Sequence, residues 1–247
     1  MEYIVAIPFI VMLYMIFTAN RNRIVAHTVQ APITQNLRLY FISDVHNRTI
    51  NQRMLKRLGP VDAVIIGGDF CDRRTTLTKL EKNLQRLRQC GPIFAVWGNN
   101  DREIDEEIVR KLYQKYDVVL VENSASALTN EVYISAIEDT SSRNYSIEQA
   151  LQTVPKHAFT VFISHNPVVF QRMSNDAAML RLAGHWHGGQ IRLGALGIRP
   201  KGTIQKQGEV TTIISNGYGT TLMPLRFGAL PETHIITLQP RTMYNKK

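Results

Sequence analysis

Short apolar runs recur through the first half of the chain, and each stops at glycine, aspartate or histidine. Residues 37–43 (LRLYFIS), 62–69 (DAVIIGGD) and 92–98 (PIFAVWG) read as strands. Polar residues hardly interrupt them, which predicts parallel pairing with both faces covered. Between the runs the period lengthens. Residues 49–58 predict a short helix, and Leu77, Leu80, Leu84 and Leu87 mark one face of a helix over 76–88. A third helix follows at 103–116, acidic where it begins and basic where it ends, as the helix dipole favours. Beyond Val118 the strands crowd together: DVVLVE, VYISAI, AFTVFIS, MLRLAG, VTTIIS and THIITL. Several are separated by Gly or Pro turns, which predicts a second, partly antiparallel set. The Gly-rich stretch 188–202 reads as a surface hairpin or loop, with apolar surface at Leu193–Ile198. Phe159–Ile163 reads as core.

The N-terminus breaks this pattern. Residues 3–19 carry no charged side chain and are followed by NRNR. At about 1.5 Å per residue the run just reaches the roughly 30 Å of a hydrocarbon core. It begins MEY, without the basic segment that opens a cleavable signal peptide. Residues 1–20 are therefore expected to be a transmembrane anchor, a single pass in the cell membrane. Arg21 and Arg23 on its C-terminal flank place the rest of the chain on the cytoplasmic side. Residues 21–36 are expected to be a linker, 37–240 one folded domain and 241–247 a basic tail.

Composition adds little except charge. A chain of 247 residues suits one sizeable domain with an appendage, and 44% hydrophobic content excludes wholesale disorder. The net charge of +9 favours anionic partners, whether phosphorylated substrates, an acidic membrane surface or nucleic acid. No interleaving of aromatic and basic residues marks a nucleic-acid reader, so that partner is not indicated. Cys71 and Cys90 lack paired spacing and predict neither a zinc cage nor a disulfide framework.

The candidate chemistry sits where the apolar runs stop. Five boxes carry metal-ligand residue types: SDVHN (Asp44, His46), GGDFCD (Asp69, Asp72), GNND (Asn99, Asn100, Asp101), SHNP (His165) and GHWHGG (His185, His187). Residues two apart at a strand end project to the same side, so Asp44 and His46 can grip one ion while His185 and His187 reach the same cluster. Glycines beside the ligands leave room for ions and phosphate. Three further histidines, His27, His157 and His234, fall outside every box.

This series, D-x-H, GD-x-x-D, GN-x-D, a histidine box and GH-x-H, resembles the signature of calcineurin-like metallophosphoesterases. It spans Leu37 to His187, and residues 215–238 look like the C-terminal segment of a bacterial, membrane-anchored phosphodiesterase branch. The resemblance implies an α/β fold, a four-layer αββα sandwich of two mixed sheets, here preceded by the anchor helix. It implies two divalent ions, one held by Asp44, His46, Asp69 and His187, the other by Asp69, Asn99, His165 and His185, with Asp69 bridging and catalytic. Carboxylate, imidazole and amide ligands suit Mn²⁺, Fe²⁺ or Zn²⁺. Such a pair activates water for attack at phosphorus. Asp72 and Asp101 would orient ligands or cap turns. Arg48 would meet the substrate phosphate or stand in solvent.

The chain departs from the family at Asn100, where a histidine is usual. Asparagine cannot act as a proton donor of useful acidity but can donate an amide hydrogen bond to phosphate. The expectation is a phosphohydrolase for diesters or pyrophosphates, whose leaving groups need little protonation, with Asn100 at the leaving group. A lipid-linked or nucleotide substrate at the membrane fits the anchor. The alternative is a catalytically weak metal-binding scaffold tethered there.

Overall fold

The computed structural model describes residues 2–241, with side chains from Ile7 onward. Apart from Arg241, the expected basic tail lies outside the described residues. Helix α1 (Glu2–Ala19) precedes β1 (Ile24–Ala31) and β2 (Leu37–Ile42). Then α2 (Gln52–Leu58), β3 (Ala63–Gly67), α3 (Leu77–Arg88), β4 (Ile93–Val96), α4 (Glu106–Lys115) and β5 (Val118–Leu120) alternate. The second half holds β6 (Ser124–Ala127), β7 (Val132–Ala136), α5 (Ile147–Gln152), β8 (Phe159–Ile163) and β9 (Leu180–Ala183). The hairpin β10 (Arg192–Leu193) and β11 (Leu196–Gly197) follows, then β12 (Thr203–Gln207), β13 (Val210–Ile214) and β14 (Thr233–Pro240).

Two six-stranded sheets result, in the orders β1-β14-β2-β3-β4-β5 and β12-β13-β9-β8-β7-β6. In the first, β2 to β5 are parallel, as uninterrupted apolar runs demand, and β14 runs antiparallel to β2. In the second, β7, β8, β9 and β13 are parallel, and β6 and β12 are antiparallel edges. Alternate residues of one strand serve two cores. Leu39, Phe41, Ile65 and Phe94 meet Ile134, Phe159, Val161 and Leu182 between the sheets. Tyr40, Ile42, Val64 and Ile66 face the opposite way, onto Leu55, Leu80, Leu84 and Val109 of α2, α3 and α4. Behind the second sheet, Phe162 packs with Ala150 and Phe170. The layers are thus αββα, and Phe159–Ile163 is core.

Three expectations are corrected. Residues 24–31, expected in a linker, form β1, paired in parallel along its full length with β14. Its sequence IVAHTVQA is too polar to stand out as a buried run, because it is an edge strand with only part of one face covered. The THIITL strand, expected in the second set, lies inside the first sheet, a long-range pairing that no local pattern encodes. Finally, among the described residues no helix is long and apolar enough to cross a membrane. The 18 residues of α1 rise about 27 Å, short of the hydrocarbon thickness, and Pro8 lies within them.

Candidate metal centre

Strands β2, β3 and β4 of one sheet and β8 and β9 of the other all deliver their C-terminal ends to the same edge of the sandwich. The five boxes begin there. The backbone turns sharply to aim the side chains: Asp44, His46, Asp69, His185 and His187 all have φ between 49° and 70°. Left-handed backbone is unfavourable for residues with a Cβ, and such strain concentrates at functional sites. The loops are locked to each other. The Asp44 and His46 amides donate to the carbonyls of Gly68 and Asp69. Asp101, fully buried, accepts from the amides of Asp69 (2.8 Å), Gly98 (2.7 Å) and Cys71 (2.9 Å). Burial and the nearby Asp69 push its carboxyl up to about 6.

Two imidazole pairs face each other across buried carboxylates. His46 Nε2 and His187 Nε2 are 3.1 Å apart, and His187 Nε2 is 3.3 Å from Asp44 Oδ1. His165 Nε2 and His185 Nδ1 are 3.3 Å apart. Asp69 Oδ2 lies between the pairs, 3.3 Å from His165 Nε2 and 3.7 Å from His46 Nε2. Ligand atoms of Asp44, His46 and His187 converge within 4.8 Å, as do those of Asp44, Asp69 and His165. Asp44 therefore belongs to both groups. His185 is tied in through its amide, which donates to Asp44 Oδ1 at 3.0 Å. The Oδ1 of Asn99 is buried without a partner.

These features fit bound divalent cations. His165 Nδ1 donates to the Gly67 carbonyl at 2.9 Å, which aims Nε2 at the Asp69 carboxylate 3.3 Å away. The orphaned Asn99 oxygen and the facing imidazole nitrogens call for an electrophile. Burial lowers the His165 pKa, but Asp69 more than reverses this and carries it up to about 10. Burial holds His187 below the ordinary imidazole value, and Arg226 adds to that against Asp44. Space is kept open by glycine: a Cβ on Gly184 would fall 2.2 Å from Asp44 Oδ2, and one on Gly98 2.3 Å from Asp69 Oδ1.

All seven expected ligand residues thus reach one edge. Asp72 stands 3.4 Å from His46 Nδ1 and is ion-paired with Arg74. Asn100 lines the narrow mouth with His46, Arg73, Glu103 and Thr221. Its backbone N–H donates to Asp69 Oδ1, and its amide donates to Glu103. The Arg48 guanidinium donates to the carbonyls of Asn20, Arg21 and Tyr218 and stacks on the Tyr218 ring, which fastens the end of α1 to the body, and Arg48 also lines the cleft beside it.

Sequence reasoning missed Arg226, a fully buried cation. It donates to the carbonyls of Asn216, Gly219 and Ala229 and lies 3.2 Å from His187 Nδ1. It also missed Thr221, whose Oγ1 is 3.1 Å from His187 Nε2. Both sit in a Gly- and Pro-rich loop with no ligand spacing to announce them.

Comparison with known proteins decides the family. The calcineurin-like phosphoesterase superfamily domain matches residues 37–192. The chain belongs to that superfamily. By that membership it is a metal-dependent phosphoesterase. YpbG of Bacillus subtilis (strain 168) is 34% identical, over 90% of this phosphoesterase and 89% of its own length. The metallophosphoesterase YkoQ of the same organism is 28% identical, with 93% and 96% covered. The phosphodiesterase YaeI of Escherichia coli (strain K12) is 24% identical, with 72% and 70% covered. Among solved structures, TT1561 of Thermus thermophilus shares the fold, with a TM-score of 0.54 at 10% identity over 74% of this chain and 90% of that one.

Proposed function

We propose that this phosphoesterase hydrolyses phosphodiester or pyrophosphate bonds with two divalent ions, Mn²⁺, Fe²⁺ or Zn²⁺. One would be held by Asp44, His46, Asp69 and His187, the other by Asp69, Asn99, His165 and His185. The observation that carries the reading is the pair of facing imidazole couples with the Asp69 carboxylate between them. Such ions supply Lewis acidity toward phosphoryl oxygens and activate water for attack at phosphorus.

The chain's own residues do the rest. Asp101 ties the loop after β4 to the loop after β3 through three backbone amides and so steadies the backbone that carries Asp69. The Gly67 carbonyl fixes the His165 tautomer, and Asp72 steadies His46. At the mouth, Glu103 accepts from the Asn100 amide, and in this reading Asn100 hydrogen-bonds a phosphate oxygen but lacks an acidic proton for a departing alkoxide. General acid catalysis is typically worth about 10²–10⁴-fold, most where the leaving group is basic. Diesters and pyrophosphates with good leaving groups lose least, and the relative named a phosphodiesterase is consistent with this. The apolar α1 beside the site supports a lipid-linked substrate.

The test is a hydrolysis panel on Mn²⁺-loaded protein, comparing bis(p-nitrophenyl) phosphate with alkyl monoesters. Diester cleavage is expected to dominate, and faster alkyl monoester cleavage sinks the preference. Asn100→His should raise monoester turnover by about tenfold or more relative to diester turnover. An unchanged ratio would remove Asn100 from the leaving group.

A further inference from the structure

Three segments far apart in sequence expose large apolar side chains and meet at the mouth of the metal centre. The first is α1, where Ile7, Phe9, Ile10, Leu13, Tyr14 and Phe17 are exposed and only the last turn, with Thr18 and Ala19, is buried. The second is the β10–β11 hairpin, with Leu193 71%, Leu196 75% and Ile198 87% exposed. The third is the loop tip Leu222–Met223, with Leu222 in left-handed backbone. Phe227 joins them: its ring packs edge-on against Tyr14, its carbonyl accepts from the Arg192 amide, and it bridges to Ile191. The Arg226 amide donates to the Met15 carbonyl, and the Gln190 side chain donates to the carbonyls of Thr221 and Met223. Thr221 itself touches His187. Below the end of α1 a cleft of about 550 Å³ opens between Asn20, Asn47, Thr49, Arg74, Thr220 and Leu222, and Arg74 and Leu222 also line the mouth of the metal centre.

We propose that these three segments form one docking rim for an anionic phospholipid bilayer, which holds the metal centre against the lipid surface. Two observations select a bilayer over a protein groove. The exposed apolar positions of α1 run around its whole circumference, whereas a groove covers a single stripe. And the rim segments carry no acid: residues 3–23, 187–208 and 217–231 contain no Asp or Glu, Arg23 is ion-paired with Glu232 just beyond them, and Arg21, Arg199 and Lys201 are exposed beside the apolar tips. Apolar insertion with flanking cations is the pattern of a surface-bound protein on acidic lipid. No crossing of the membrane is required. A phosphodiester resident in the bilayer would then reach the ions through the polar cleft without leaving the surface. That substrate class rests on the proposed hydrolase activity; the docking rim does not.

The test uses the full chain and sedimentation with phosphatidylcholine/phosphatidylglycerol vesicles, with pure phosphatidylcholine vesicles alongside. The variant carries Leu193→Glu, Leu196→Glu, Ile198→Glu and Met223→Glu together, leaving α1 intact. Wild type should bind, more tightly to the anionic vesicles, and the variant should lose about tenfold or more in partitioning. Its turnover of soluble bis(p-nitrophenyl) phosphate should be unchanged, which also shows that it folds. Equal binding of variant and wild type overturns the rim, as does indifference of wild type to anionic lipid. A lipid-free dimer that the variant dissociates, with vesicle binding unmoved, overturns it in favour of a second copy. Failure of soluble hydrolysis in wild type would instead defeat the hydrolase reading and leave vesicle binding to stand.

Discussion

The molecule contains two kinds of histidine cluster. In the metal centre, His46 faces His187 and His165 faces His185, each couple beside a buried carboxylate. Across the first sheet, His27 of β1 and His234 of β14 make an equally close contact, with His27 Nε2 and His234 Nδ1 2.9 Å apart and the rings stacked. The nearest carboxylate there is Glu232, 4.0 Å from His234 Nε2. Burial, then the neighbouring His27, drives the His234 pKa down to about 3, while carboxylates carry His165 up to about 10. Proximity of imidazoles is therefore no sign of a metal site. What distinguishes the two is the buried carboxylates beside the rings, which suit one cluster to positive charge, whereas the other is a neutral packing pair.

The sharpest way to break this contrast is to remove the carboxylate that lies between the two imidazole couples. Asp69→Ala should abolish diester hydrolysis and tight transition-metal binding, whereas His234→Phe should leave metal content by elemental analysis unchanged. Equal metal loss in both would erase the distinction. Asp101→Ala touches no ion ligand side chain but frees three backbone amides that hold the loops. Turnover should fall about 10–100-fold with the fold retained by circular dichroism.

The neutral pair predicts an acid sensitivity. Because the folded pKa of His234 lies below the ordinary imidazole value of about 6.5, the unfolded chain takes up the proton first as pH falls. Its contribution to stability is intact above that value and is lost progressively between there and about 3. The slope is about 1.4 kcal/mol per pH unit in this window. His234→Phe should flatten the decline of the unfolding midpoint between neutral pH and the acid side. His27→Phe, altering the half-buried partner, should flatten it less.

The histidines also show how far the sequence could be read. His46, His165, His185 and His187 were separable from His27 and His234 because each falls just past the end of an apolar run, where a parallel strand must end and turn, and His185 and His187 are flanked by glycine as well. The layers were legible for the same reason: strands such as β2 and β3, buried on both faces, have no polar alternation. What escaped was non-local. Nothing around Ile24 announces pairing with a strand more than two hundred residues later, and nothing around Arg226 announces a buried contact with His187. The carbonyls around Arg48 were equally invisible, since they come from residues 20, 21 and 218.

The position of β14 bears on the order of assembly. The most C-terminal strand among the described residues is inserted between the first two, parallel to β1 and antiparallel to β2. During synthesis both edges stay open until residues 233–240 leave the ribosome, long after α1 has emerged. Non-local pairing of this kind is slow and leaves nascent chains prone to sticking together. The nascent phosphoesterase therefore waits with an unfilled slot in its first sheet, and a ribosome stalled before residue 233 would release a chain with two unsatisfied strand edges.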